Sequence, residues 1–426
     1  MPKIGPLELT SVEDFDFRLL IKALGKGEKG SRSLTFAEAS LFIQGFANGK
    51  VTKAQMASAM MLMRVRGETV AEVAGVVAGL KHTINPAWEE LNVDIDWPVY
   101  AGKREQLPWL LLVAKLLASK GWRVMLHGDS QALPHRRHVE SCIQALDIAQ
   151  CRTAEKAQQV LDESGIVYVS AGDLAPVLDD CRLLHQELGL RSIIQTASRC
   201  MNPSHASLSL RSFFHPGLDE LHQKVAETLF TEGVYQPGVI GIFKGLQGET
   251  EINPRVTTDV RVVNGSGGSV QFSAFELPTL LEGFSGAKVG QAELSAEVLA
   301  QLWRTDNIKE LSSRHNNESS SYLTQPMTLM SDAMLEQALS SVQATLCLVL
   351  SLDNVLQGNN IALANKVFQS QQWWAGRLMP IRASNCDKEM SNLSQPLLPT
   401  PLLPKSPLPK SFTEAALNTK EKSCTV

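Results

Sequence analysis

Between Thr35 and Leu80 apolar residues recur every three or four positions: Phe42 and Phe46, then Met56, Met60 and Met63, then Val70, Val73, Val77 and Leu80. This is the period of helices with one buried face. Thr35–Glu38 (TFAE), Thr52–Gln55 (TKAQ) and Thr69–Glu72 (TVAE) each offer a hydroxyl at the N-cap and Glu or Gln three residues on, the capping-box pattern. Gly49 and Gly67 stand just before the later two boxes, where helix C-caps belong. With an earlier helix over Phe15–Leu24, residues 10–84 read as a bundle of four short helices. Met56, Met60, Met61 and Met63 fit the core of that bundle better than an adaptable binding surface.

From Asp94 the pattern changes to short apolar runs alternating with helical segments. Asp96–Tyr100, Leu107–Ser119 and Trp122–Leu126 read as strand, helix and strand, a βαβ unit. Ile166–Ser170 is an apolar strand, Leu174–Leu188 a helix, and Arg191–Thr196 a strand or turn. Leu218–Thr228 is a helix and Val239–Phe243 a strand. Val260–Val263 and Val270–Phe275 flank a turn at Asn264–Gly268, and Glu293–Trp303 is a helix. Residues 311–325 are polar and read as a loop, and Met330–Phe368 returns to helical spacing. Six prolines (396, 399, 401, 404, 407 and 409) mark the end of the chain as a polyproline-type tail. The expected class is α/β: a small N-terminal helical domain (1–84), a larger α/β domain with a mainly parallel sheet (85–382), and a Pro-rich tail (383–426).

Composition adds limits. With 44% hydrophobic and 20% charged residues the chain has the make-up of a soluble globular protein. Seven cysteines, an odd number without CxxC spacing or accompanying histidines, argue against a disulfide framework or a zinc site and for the cytoplasm. The first residues lack a signal-type apolar segment, and the apolar runs Leu107–Ala118 and Ala344–Leu352 are too short to span a bilayer, so no membrane partner is expected.

Charge is unevenly placed. The net charge is −4, yet Val99–Arg137 holds seven Lys/Arg against Glu105 and Asp129. The turn from first strand to helix is where many α/β folds bind phosphate on helix N-terminal N–H groups, with glycines permitting close approach. Here the turn offers only Gly102, followed by Lys103 and Arg104. Lys103, Arg104, Lys115, Arg123, Arg136, Arg137 and Lys244 are candidate contacts to a nucleic-acid backbone, with Lys103 and Arg104 expected to face solvent. Trp109 and Trp122 are candidate stacking residues, or core residues of the βαβ unit, the second reading being favoured for Trp122.

Gly49–Val51 (GKV), Gln55–Ala57 (QMA), Met63-Arg64, Gly67–Thr69 (GET) and Ala71–Ala74 (AEVA) stand in the helical opening in unbroken order. With them the opening resembles that of anthranilate phosphoribosyltransferases, glycosyltransferase family 3. The resemblance continues through His127-Gly128, Gln186–Arg191 (QELGLR), Asn202-Pro203 and Thr250–Ile252 (TEI). It implies an active site between the two domains and a homodimer formed through the helical one. It also implies that the family's catalytic parts are largely lost. The family's GTGGD pyrophosphate loop corresponds to Tyr100–Arg104 (YAGKR), its Lys-His-Gly-Asn to Leu126–Asp129 (LHGD), and its magnesium-binding Asp-Glu to Thr250-Glu251. The arginine that meets the anthranilate carboxylate falls at His185.

Gly102, His127, Gly128, His185, Arg191 and Asn202 are then remnants of a substrate site. Glu251 and Glu249 are metal ligands only in an enzyme, and Mg²⁺ is expected only in that case. Similar losses mark a non-catalytic, nucleic-acid-binding branch, the YbiB-like proteins, which Lys244–Glu249 (KGLQGE) also resembles. The expectation is a sequence-independent binder of single-stranded DNA or RNA without catalytic residues or cofactor. The alternative is a pentosyltransferase that passes a phosphopentosyl group to an aromatic or nucleobase acceptor.

Overall fold

The computed structural model describes residues 5–27, 29–104, 106–131, 135–266, 268–281, 294–305 and 332–378. The expected polar loop at 311–325 and the Pro-rich tail lie outside the described residues.

The chain opens with α1 (Arg18–Gly25), α2 (Phe36–Ala47), α3 (Lys53–Arg66) and α4 (Val70–Lys81). All three capping boxes form, each hydroxyl accepting from the third backbone N–H and each Glu or Gln returning to the cap. Met56, Met60 and Met63 are buried in the bundle core, and Met61 is half-buried against it.

An eight-stranded sheet follows: β1 (Ile95–Pro98), β2 (Val124–Gly128), β3 (Ala149–Gln150), β4 (Ile166–Ser170), β5 (Leu208–Phe213), β6 (Gly238–Lys244), β7 (Thr258–Ser266) and β8 (Ser269–Leu277). The strand order is β3-β4-β2-β1-β5-β6-β7-β8. The first six run parallel, and β7 and β8 form an antiparallel hairpin on the β6 edge. β1 is buried at every position, as a strand covered on both faces must be.

One face carries the bundle with α8 (Val177–Leu188), α9 (Ile193–Ala197) and α10 (Leu218–Thr231). The other carries α5 (Leu110–Ser119), α11 (Glu297–Arg304) and the helices Asp332–Leu356 and Leu363–Ala375. Asp332–Leu356 is long and apolar enough to cross a membrane. In this fold 67% of its most apolar window is buried, and it packs on α5, β5 and β6, the position of a core helix.

Three expectations change. The helix read over Leu174–Leu188 is two, α7 (Ala171–Leu174) and α8, because Pro176 lacks an N–H and Ala175 before it is extended (φ −143°). Arg191–Thr196 is no strand; Ser192 and Gln195 form a fourth capping box that opens α9. The central strand β5, with the sequence LSLRSF, and the helix α6 (Ala154–Ser164) had no counterpart in the apolar pattern.

Candidate functional site

The C-terminal ends of parallel strands share one edge of such a sheet, and their loops form its natural binding crevice. Here that edge carries the loops after β1, β2, β4, β5 and β6. Gly102, at φ +64°, turns the chain after β1 where a Cβ would press on Arg136 at 2.9 Å, so only glycine fits. Its N–H donates to Glu249 Oε2 (2.7 Å), while Glu249 Oε1 accepts from the Thr250 N–H (3.0 Å).

Lys103 does not face solvent. It is fully buried, its ammonium paired with Glu251 and donating also to the Leu246 carbonyl (3.3 Å). The second oxygen of Glu251 accepts from the Leu110 N–H (2.9 Å), at the first turn of α5. A carboxylate of the chain itself therefore occupies the helix N-terminus that phosphate-binding folds present to ligand. Burial pushes the Glu251 carboxyl up, against the downward pull of Lys103.

A magnesium site does not fit these residues. Both carboxylates are fully buried and committed to internal donors, whereas Mg²⁺ needs carboxylate oxygens free within an octahedral shell. Among the described residues no group of three or more His, Cys, Asp and Glu is arranged to hold a metal ion.

Several expected remnants serve the fold instead. His127 is buried between Asp96 (Nε2 to Oδ1, 2.9 Å) and the Tyr100 hydroxyl (Nδ1, 2.9 Å). Gly128 passes so near Val99 that a Cβ would lie 2.5 Å from its carbonyl. Asn202 closes a turn onto Ala206 with its amide group, and its carbonyl accepts from Lys81.

The cleft itself lies between the sheet edge and α8–α9. Tyr100, Asp129, His185, Arg191, Gln195 and Arg199 are among its lining residues, and it opens to solvent. His185 is held by Gln195 (2.7 Å to Nδ1), and burial, then Arg191, keep its ring below the usual histidine range. Six arginines share the region: Arg182, which pairs with Asp129 and Asp179, and five others. Arg191 is depressed by burial, then by Arg104 and Arg64; Arg136 by burial, then by Arg191 and Arg104; Arg199 by burial and also by Arg191. Glu249 opposes the shift at Arg136 and Arg199. Cations that depress one another form a concentrated positive field, suited to a polyanion.

The expected basic residues separate accordingly. Arg104 and Lys244 are exposed on the loops after β1 and β6, and Arg136 donates to the Ala101, Gly102 and Gln247 carbonyls at the cleft wall. Arg137 pairs its backbone with Lys103 and its side chain donates to the Leu294 carbonyl. Lys115 lies elsewhere, on α5, with its ammonium on the Leu146 carbonyl and over the Trp303 ring. Arg123 stands at the start of β2, the opposite edge of the sheet. Trp109 is core and Trp122 is packed against it, so neither presents a stacking face at the cleft. Arg199 carried no sequence signal, and Arg64 appeared only within a matched dipeptide.

A three-layered α/β fold with a helical bundle beside a strand-edge cleft is the architecture of anthranilate phosphoribosyltransferases. The structure is similar to that enzyme from Thermus thermophilus, at a TM-score of 0.54 and 18% identity, covering 84% of this chain and 94% of the enzyme. It is also similar to the enzyme from Saccharomyces cerevisiae in complex with PRPP and Mg, at 0.57 and 12%, covering 85% and 94%. Residues 18–83 match the glycosyl transferase family helical bundle domain. The sequence is 28% identical over 258 residues to the uncharacterized protein YbiB of Escherichia coli (strain K12), covering 59% of this chain and 78% of that one. It is 27% identical over 252 residues to the anthranilate phosphoribosyltransferase of Priestia megaterium, covering 59% and 70%. The chain is thus similar, in sequence and in fold, to anthranilate phosphoribosyltransferases and to YbiB, and its helical bundle matches the glycosyl transferase family domain.

Proposed function

We propose that this protein is a cytoplasmic, non-catalytic, sequence-independent binder of single-stranded nucleic acid, working through the arginine cleft. One observation carries the proposal: positive charge is in excess at the strand edge, because Glu251 is already paired with Lys103 and both Glu249 oxygens are held by backbone N–H groups. The arginines of the cleft outnumber the carboxylates beside them, Glu68, Asp129 and Glu249, and a phosphate backbone supplies further negative charge. The same observation weighs against phosphopentosyl transfer, because that chemistry depends on positioning phosphates with a cradle and a metal. A homodimer formed through the bundle would offer two clefts to one strand and raise avidity.

Calorimetry with phosphoribosyl pyrophosphate separates this from the alternative. The expected result is weak binding with no gain on adding Mg²⁺. Micromolar, Mg²⁺-dependent binding would overturn the proposal and make the protein a pentosyltransferase with another acceptor.

A further inference from the structure

We infer that Phe214 is a base-stacking platform at the rim of the cleft, so that the protein holds a single strand by its unpaired bases as well as by its phosphates. This rests on the nucleic-acid reading above and adds a second kind of contact to it.

β5 ends at Phe213, and the next residue turns outward. Phe214 is 46% exposed, and its ring meets the exposed His215 edge-on at 5.1 Å and 84°. Burial is the ordinary fate of a phenylalanine, and this one sits at the strand edge that forms the crevice. It rests against the loop after β6. A Cβ built on Gly248 would lie 3.4 Å from the Phe214 Cβ and 3.8 Å from its Cδ2, ordinary contact distances that place the ring beside the loop.

That loop also anchors the cleft's arginines. The Gly248 carbonyl accepts from Arg199 (3.1 Å), Gln247 accepts from the Arg104 N–H (2.8 Å), and the Gln247 carbonyl accepts from Arg136 (3.4 Å). Lys244, exposed, is the register partner of Phe213 on the neighbouring strand. One loop thus joins an exposed aromatic face to a cluster of cations. That pairing is what unpaired, phosphate-linked bases require, since every base has a face to stack and every linkage a charge to neutralise. Bases stacked inside a duplex cannot reach the ring, so the occupant is single-stranded.

The test is a titration, by anisotropy, of a labelled thymidine oligonucleotide and of an abasic strand of equal length and charge. Wild-type protein should bind the base-bearing strand about tenfold more tightly, within the range of one base–aromatic stack. Phe214→Ala should remove that difference while leaving the salt slope unchanged, because no phosphate contact is lost. Phe214→Trp should restore it. A Phe214→Ala protein that is folded by circular dichroism and keeps the full difference overturns the inference, as does a wild type that binds both strands equally. Failure of the wild type to bind either strand at low salt would instead overturn the nucleic-acid reading and this inference with it.

Discussion

Lys103→Met is expected to lower the stability of the protein by about 3–5 kcal/mol, the cost of leaving one half of a buried ion pair without its partner. Lys103 and Glu251 are both fully buried, and after the substitution Glu251 keeps only the Leu110 N–H. The double variant Lys103→Met/Glu251→Gln should recover most of the loss, because removing both charges together leaves no uncompensated ion. The pH dependence gives a further check. Burial raises the Glu251 carboxyl above its ordinary range. A carboxyl whose folded pKa is raised binds protons more readily in the folded state, so its contribution is present at low pH and lost as pH rises through the folded pKa. Without Lys103 to oppose that shift, the deficit of Lys103→Met relative to the double variant should be largest at neutral pH. It should shrink on acidification toward the ordinary carboxylate range. Urea unfolding of the three proteins across pH measures this, and a Lys103→Met midpoint equal to that of wild type would show that the pair holds nothing.

Reversing two exposed cleft charges, Arg104→Glu/Arg191→Glu, should weaken oligonucleotide binding at least a hundredfold while leaving the fold intact. Each charge-assisted contact to a phosphate contributes about 1.5–3 kcal/mol, and two are removed. Each phosphate no longer neutralised also flattens the slope of log K against log salt by about 0.7 on a single strand, so the pair should flatten it by about 1.4. The loss should be similar for all sequences, since backbone contacts carry no base information. Both residues are exposed, so unfolding midpoints should barely move. Arg123→Glu, on the opposite edge of the sheet, is the control and should leave affinity and slope near wild type. Equal losses from Arg123→Glu would mean that general charge, not the cleft, governs binding.

The bundle was legible because its signals are local: capping residues and helical spacing act within one turn, and all three expected boxes form. The parallel sheet was legible as an alternation of elements. β5 was not, because its inward positions include Ser209 and the buried Arg211, which bonds to the Tyr235 hydroxyl, so its apolar pattern is broken by tertiary partners. The basic stretch was legible as charge but not as geometry. Lys103 and Arg104 are neighbours in sequence, yet one is sealed against Glu251, a residue from the far side of β6, and the other is exposed. Lys115 and Arg123 lie in the same stretch but on a different face and a different edge. Arg199 and Phe214 come from segments without local charge density or periodicity, and only the sheet order brings them beside the loop after β6.

The salt dependence of wild-type affinity for a single-stranded oligonucleotide tests the central claim most directly. The account predicts binding at low salt that weakens linearly in log K against log salt, with a slope of about −0.7 for each phosphate held, and needs no divalent cation. Absence of binding at low salt, or affinity that is insensitive to salt, would contradict it.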